Sequence, residues 1–221
     1  MEWNSIFFSK KTIARLIGTY IILCVTLLGC HQPRLVGNGL SGQPILIENP
    51  EVSQAFYGEL VGAPHFYRIQ SPRDFVLYVN ILVPFIESAP TGFEVDIARD
   101  TQKFFTFGGD GMEWKKFFEP FAGDSYLRGP EFEKKVAAGD YFITVRNRDN
   151  CGQYVLAVGK IESFPLKEII KTYRVLPDIK QKFFHKSPVM AFINLFTLLL
   201  FVPIFLFFFL IFRLAVRFFK K

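Results

Sequence analysis

The segment "GDYFITVRNRDNCGQYVLAVG", residues 139–159, carries the clearest pattern in the chain. Each half places apolar side chains at every second position: first Tyr141, Ile143 and Val145, then Tyr154, Leu156 and Val158. Successive side chains of a strand point to opposite faces of a sheet, so each half predicts a strand with one buried face. The tip between them, "NRDNCG", consists of residues that suit a turn. The segment therefore predicts a β-hairpin.

Short alternating runs of the same kind precede this segment. Between residues 56 and 159 we expect about nine strands, separated by Gly, Pro, Asn or Asp roughly every 8–12 residues. The run over residues 74–84 is longer and more continuously apolar than the others, which favours a central strand, and "GGDG", residues 108–111, is typical of a hairpin turn. This spacing predicts an antiparallel β-sandwich or barrel.

The closing segment also resembles a known family. The residues "AAGDYFITVRNRDNCGQYVLAVG" are similar to the closing motif of bacterial pre-peptidase C-terminal domains, in which two Gly–x–Tyr strands pair through an Asn/Gly turn. The matching positions are Gly139, Tyr141, Ile143, Val145, Gly152, Tyr154, Leu156 and Val158. The resemblance implies an all-β, jelly-roll-like sandwich, here over residues 51–162. It implies no catalysis, although some members bind calcium, carbohydrate or protein surfaces.

The C-terminal part is strongly apolar. Residues 189–212 contain no charge over 24 positions, and a helix that spans a bilayer needs about 20. Four basic residues follow in residues 213–221, which is typical of a cytoplasmic flank. We therefore predict a transmembrane helix at 189–212 and a basic cytoplasmic tail at 213–221.

The N-terminal residues 1–30 have the form of an export signal. Lys10, Lys11 and Arg15 precede a short apolar run that ends in "LLGC", which resembles a bacterial lipobox and makes Cys30 a lipidation candidate. Leu28 is larger than the residue usual at that box position, so an uncleaved signal-anchor helix stays open as the alternative. Either form predicts a bacterial inner-membrane protein whose β-domain is exported to the periplasm.

The net charge of +6 comes from the ends of the chain. Residues 31–187 contain 19 Lys and Arg against 19 Asp and Glu. A nucleic-acid-binding domain is expected to carry a basic excess on its folded part. The distribution therefore argues against a nucleic-acid partner and points to the membrane.

Two segments join these parts. Residues 31–50 are polar, rich in Gly and without periodicity, which favours a tether. Residues 163–188 place Leu166, Ile169, Ile170 and Tyr173 at helical spacing among lysines. We therefore expect one or two short amphipathic helices in this juxtamembrane segment, with an interruption at Pro177, lying either at the membrane interface or on the sandwich.

The chain offers little of the chemistry that enzymes use. Its three histidines lack the spacing of a zinc site, and no nucleophile-elbow or phosphate-loop motif occurs, so we predict no metal, no cofactor and no enzymatic activity. Two hydrolase alternatives remain. Cys151 would need a histidine, and Glu94 with Asp96 share one strand face, as paired acid–base carboxylates do.

An aromatic stretch is the candidate binding surface. Residues 114–130 contain Trp114, Phe117, Phe118, Phe121 and Tyr126. Such side chains stack on sugar rings or contact a protein partner, and sandwich domains bind through their loops. The sequence as a whole predicts a non-enzymatic binding or scaffolding module of the cell envelope. A carbohydrate-recognition module is the alternative.

Overall fold

The computed structural model describes residues 31–219 except 38–42, 88, 101 and 121. The predicted export signal of residues 1–30 and the lipidation candidate Cys30 lie outside the described residues. Residues His31–Leu195 form one compact unit, and the helix that follows belongs to a second unit.

The described strands form two sheets. Their bounds are β1 Gln32–Leu35, β2 Ile45–Leu46, β3 Gln54–Val61, β4 His65–Ser71, β5 Phe75–Pro84, β6 Glu94–Arg99, β7 Gln102–Gly108, β8 Lys115–Glu119, β9 Asp124–Val136, β10 Gly139–Arg146 and β11 Cys151–Val158. A six-stranded sheet has the order β1-β3-β11-β5-β9-β8, and a five-stranded sheet has the order β2-β4-β10-β6-β7. The two sheets enclose one hydrophobic core. The prediction of an all-β sandwich with nine strands after residue 53 is confirmed.

Both sheets are mixed, so the expectation of a purely antiparallel sandwich is wrong at the edges. Strand β1 runs parallel to β3, and β2 runs parallel to β4. Both strands belong to the segment that the sequence predicts as a tether. They pair through backbone groups at sheet edges, and such pairing requires no alternation of apolar side chains.

The hairpin prediction for residues 139–159 is also wrong, although both strands exist. Strand β10 pairs with β4 and β6, whereas β11 pairs with β3 and β5. The chain crosses from one sheet to the other at the tip, and the apolar sides of both strands face the same core. The six apolar side chains of the pattern are at most 1% exposed. The "GGDG" segment likewise leads from β7 in one sheet to β8 in the other.

In other strands, the burial predicted from the sequence pattern is confirmed. Strand β5 is almost wholly buried and lies between β11 and β9, as a central strand does. In β6 and the residue before it, Phe93, Val95 and Ile97 are fully buried, while the acidic residues between them lie on the outer face.

The inner core contains one neutral polar network. The hydroxyl of Tyr154 lies 2.7 Å from His65 Nδ1 and 2.6 Å from the hydroxyl of Tyr67. Burial raises the pKa of Tyr154 and lowers the pKa of His65, so both side chains are favoured in their neutral forms. Gly58 makes room for the ring, because a Cβ there would lie 2.6 Å from the Tyr154 hydroxyl.

Helix α1, Leu166–Phe184, covers the outer face of the six-stranded sheet. Its buried residues Ile179, Phe183 and Phe184 form a second apolar cluster with sheet residues, among them Tyr57, Leu82, Tyr126, Val155 and Ala157. Pro177 lies inside the helix and does not interrupt it. Of the two placements predicted for this segment, packing on the sandwich is therefore observed.

A buried ion pair fixes the helix to the sheet. Lys180 Nζ lies 2.5 Å from Asp124 Oδ2, and the two side chains are 2% and 0% exposed. Lys180 also donates to the carbonyl oxygen of Ala122, and Lys186 Nζ lies 2.8 Å from Asp124 Oδ1. Both oxygens of the buried carboxylate are thus matched by cations.

The chain continues through a 3-10 turn, Pro188–Phe192, into helix α2, Leu195–Phe219. Within the described residues, no helix combines the length and the apolar character needed to cross a membrane. The transmembrane interpretation of residues 189–212 stays a prediction.

Candidate functional site

A cleft of about 650 Å³ opens at one edge of the sandwich. Its walls are the turn between β6 and β7 and the end of β9 with the residues that follow, and Tyr141 of β10 also lines it. A cleft of this size is within the usual range for small-molecule sites. The described lining residues are Arg99, Asp100, Gln102, Phe104, Lys134, Lys135, Val136, Ala137 and Tyr141.

Lys134 lies at the boundary between the hydrophobic core and the cleft. It pairs with Leu77, whose side chain is fully buried in the inner core, so Lys134 occupies an inward-facing position of β9. Its neighbours on that face, Phe132 and Val136, are buried, yet Lys134 itself is exposed. A charged side chain at an inner position is tolerated where water reaches it or where an opposite charge pairs with it, and Lys134 has no ion-pair partner among the described residues. The two sheets are therefore open to solvent here.

A β-bulge places aromatic side chains beside this opening. The register between β6 and β7 shifts after Ile97, which pairs with Phe105, whereas Ala98 pairs with Lys103. Phe104 is the extra residue. Its ring lies 6.0 Å from that of Phe132 and 6.2 Å from that of Tyr141, and it remains 40% exposed. Bulges commonly redirect a side chain in this way.

Arg99 is held in place on the wall of the cleft. Its Nη2 donates to the carbonyl oxygen of Ala138 at 2.9 Å, and its guanidinium lies 5.9 Å from the centroid of the Tyr141 ring. The Tyr141 hydroxyl in turn donates to the carbonyl oxygen of Ala137 at 2.8 Å. These contacts order the groups on both sides of the cleft before any ligand enters.

The charges of the cleft are unbalanced. The lining includes three basic residues, Arg99, Lys134 and Lys135, and one acidic residue, Asp100. Within the described part of the chain, neither lysine forms an ion pair, and nearby Asp140 is paired with Arg68 at 2.6 Å. Lysine and arginine donors beside an exposed aromatic ring suit an anionic ligand that also has a flat apolar face.

The predicted carboxylate pair has a different environment. Arg146 pairs with both Glu94 and Asp96, and Lys103 Nζ lies 2.5 Å from Asp96 Oδ1. Burial raises the pKa of Asp96, but hydrogen bonds from Lys103, Thr106 and Arg146 lower it more, so the net shift is downward. A carboxyl group held ionised by three donors is a poor general acid. The pair is a salt-bridged strand face.

Cys151 and His65 are not brought together by any described contact. Cys151 is exposed and free at the start of β11, where its backbone N–H and C=O bond the side chain of Asn147. His65 is buried, and its Nδ1 contacts Tyr154. A cysteine nucleophile needs a histidine or another cation nearby to form the thiolate.

The predicted aromatic surface is divided among several environments. Tyr126 is buried under α1 and hydrogen bonds Tyr57 at 2.8 Å, and Trp114 packs against the inner core. Phe117 is half-buried beneath the guanidinium of Arg128, at 4.0 Å. Phe118 is 57% exposed. Phe121 lies outside the described residues.

The residues of the cleft escaped the sequence prediction because three separate segments supply them. One signal was present in "EFEKKV", where Lys134 replaces the apolar residue that alternation from Phe132 to Val136 requires. Within the described residues, no group of three or more His, Cys, Asp or Glu could hold a metal ion.

Comparison with known proteins gives no family assignment. No family model and no curated protein matches the chain. A similar solved structure is the pre-peptidase C-terminal domain of a collagenase from Bacillus anthracis, at 10% identity and a TM-score of 0.32, covering 58% of this chain and 95% of that one. That domain is of the kind that residues 137–159 resemble.

Two further solved structures are less similar. The catalytic domain of an α-1,3-glucanase in complex with tetrasaccharides has 13% identity and a TM-score of 0.27, covering 48% of this chain and 22% of that one. A β-glucosidase from Paenibacillus barengoltzii has 10% identity and a TM-score of 0.24, covering 58% and 13%. Structural similarities with TM-scores below 0.5 do not support a conclusion about function.

Proposed function

We propose that this chain is a non-enzymatic binding module of the bacterial cell envelope, anchored in the inner membrane, whose cleft holds an anionic ligand. The observation that carries the proposal is the pair of cations at the mouth of the sandwich, Lys134 and Lys135, which lack acidic partners among the described residues. An unbalanced pair beside an exposed ring favours binding over a purely structural role.

An acidic carbohydrate is the ligand class that we favour. Its carboxylates would accept hydrogen bonds from Lys134, Lys135 and Arg99, while the apolar face of a sugar ring would contact Phe104. Neutral sugars would use only the aromatic contact. The two candidate hydrolase groups lie in other surroundings, Cys151 at the tip and Glu94 with Asp96 in salt bridges.

The membrane anchor is supported by the sequence. Residues 189–212 are uncharged over 24 positions and are followed by basic residues, and residues 1–30 have the form of an export signal. This arrangement would place residues 31–188 in the periplasm, with the cleft accessible to envelope glycans. A protein partner in the envelope is compatible with the same anchor.

A glycan array tests the ligand class. The full chain in detergent is applied to acidic and neutral oligosaccharides, together with the variants Lys134→Gln/Lys135→Gln and Lys115→Gln/Lys116→Gln. The second variant is the matched control, because it removes two adjacent exposed lysines from another strand. We expect acidic glycans to bind and the first variant to bind at least tenfold more weakly, since a hydrogen bond to a charged group contributes about 1.5 kcal/mol.

Equal binding by both variants, or a preference for neutral glycans, would contradict the proposed site. The anchor has its own test, which is extraction of cell membranes with alkaline carbonate. A spanning chain stays in the pellet, whereas release into the supernatant would refute the anchor. Mass analysis of the purified N-terminus separates a lipidated Cys30 from an intact Met1.

A further inference from the structure

The outer side of helix α1 carries both apolar and basic residues. Leu166 is 72% exposed and Ile170 is 47% exposed, one helical turn apart. The basic residues Lys167, Lys171 and Arg174 are exposed on the same half of the helix. The inner side of α1 is already buried on the sheet, so this outer side is not needed for the fold.

The 3-10 turn after the helix extends this surface. Three of its residues and the next one are apolar and exposed: Val189 at 61%, Met190 at 41%, Phe192 at 49% and Ile193 at 65%. The ring of Phe192 stacks on Tyr173 of α1 at 6.0 Å and an interplanar angle of 1°. The exposed residues of the turn and of α1 therefore belong to one surface, held by this stack.

The acidic residues of this part of α1 do not cancel its cations. Glu168 is buried, and its two oxygens pair with Arg34 at 2.8 Å and Lys171 at 3.1 Å. Asp178 pairs with Lys182 at 3.3 Å, one turn further along the helix. Lys167 and Arg174 form no ion pair among the described residues. The surface thus combines exposed apolar side chains with two uncompensated cations.

We infer that this surface docks onto a bilayer surface that contains anionic lipid headgroups. Apolar side chains would enter the boundary between headgroups and acyl chains, and the basic side chains would contact lipid phosphates. The position in the chain favours a lipid over a protein partner. The surface ends at Ile193, two residues before helix α2 begins within the run predicted to cross the membrane.

This inference rests on the proposed anchor and adds an orientation to it. A domain held only by a spanning helix would rotate freely on the membrane. Docking through α1 would instead fix the six-stranded sheet, whose outer face α1 covers, toward the bilayer. The cleft would then keep a constant height above the lipid.

Tryptophan quenching tests the docking. The full chain is placed in nanodiscs that contain brominated phosphatidylcholine, with or without phosphatidylglycerol. Ile170→Trp reports on the surface, and Val61→Trp is the control, because Val61 is 62% exposed on the sandwich. The unsubstituted chain, which contains Trp3 and Trp114, gives the background. Above this background, we expect the added tryptophan at 170 to be quenched more with phosphatidylglycerol than without it, and the one at 61 to be unquenched in both.

Charge reversal gives the second arm. Lys167→Glu/Arg174→Glu in the Ile170→Trp background should reduce the ratio of docked to undocked protein by at least about 30-fold, because the loss of each cation near an anionic surface costs about fivefold and the added carboxylates are repelled as well. Quenching at 170 that equals quenching at 61, or that is unchanged by charge reversal or by phosphatidylglycerol, would overturn the inference. Failure of the chain to enter the discs would refute the anchor itself, and with it the docking.

Discussion

Two groups of charged residues in this protein differ in how their charge is compensated. Asp124 is fully buried and is matched by Lys180 and Lys186. Lys134 and Lys135 are exposed at the cleft and have no acidic partner among the described residues. The first group holds a helix on a sheet, and the second holds nothing in the structure. The contrast separates charge that stabilises the fold from charge that is available to a ligand.

The largest effect on stability is expected from breaking the buried ion pair between Asp124 and Lys180. Asp124→Ala leaves the Lys180 ammonium in a site that water hardly reaches, and removal of one partner of such a pair costs about 3–5 kcal/mol. Urea unfolding of the full chain in detergent measures this loss. The control is Asp124→Leu/Lys180→Met, which removes both charges and should recover most of the stability. A loss below about 1 kcal/mol for Asp124→Ala would mean that the pair does not hold the helix.

The next largest effect on stability is expected from the neutral buried network of His65, Tyr67 and Tyr154. The pKa of His65 is lowered in the folded protein, so the unfolded chain binds a proton more readily than the folded chain below the usual histidine pKa of about 6.5. Stability should therefore be full above this pH and fall as the pH drops below it. His65→Gln should show a weaker fall than the wild type in unfolding measured across this range. Parallel curves would contradict a neutral buried imidazole.

A smaller effect is expected at the salt-bridged strand face. Arg146 is 44% exposed, and exposed ion pairs contribute about 0.2–1 kcal/mol. Arg146→Ala should therefore lower the free energy of unfolding by no more than about this amount, and the loss should shrink as salt is added. A loss as large as that of Asp124→Ala would place Arg146 among the structural charges.

The smallest effect on stability is expected at the cleft. Lys134→Gln/Lys135→Gln removes no contact within the described structure, and substitutions of this kind usually change stability by about 0.5 kcal/mol or less. The same unfolding experiment measures it. A large loss would show that the two lysines stabilise the fold, and the contrast with Asp124 would disappear.

The sequence predicted the strands because burial of one face imposes alternation on each strand separately. It did not predict which strands pair. Tyr141 and Tyr154 show the same pattern whether β10 and β11 lie side by side or face each other across a core. The uninterrupted apolar run from Tyr154 to Val158 was a usable signal, since it indicates a strand buried on both faces, which must be covered by another layer.

The sites could not be predicted for a related reason. Asp124 and Lys180 are 56 positions apart, and Arg99 is also distant from Lys134 in the sequence. Only the folded chain brings such pairs together. The aromatic stretch was visible, but its composition does not distinguish Tyr126, which is buried, from Phe118, which is exposed.

The central claim is that the cleft lysines contact an anionic ligand. Acetylation of surface lysines, followed by mass spectrometry of the full chain, measures this at each residue. An acidic oligogalacturonide should slow the acetylation of Lys134 and Lys135 but not of Lys115 and Lys116, and its methyl ester, which lacks the charge, should slow neither pair. Equal rates at all four lysines with and without the acidic sugar would contradict the claim.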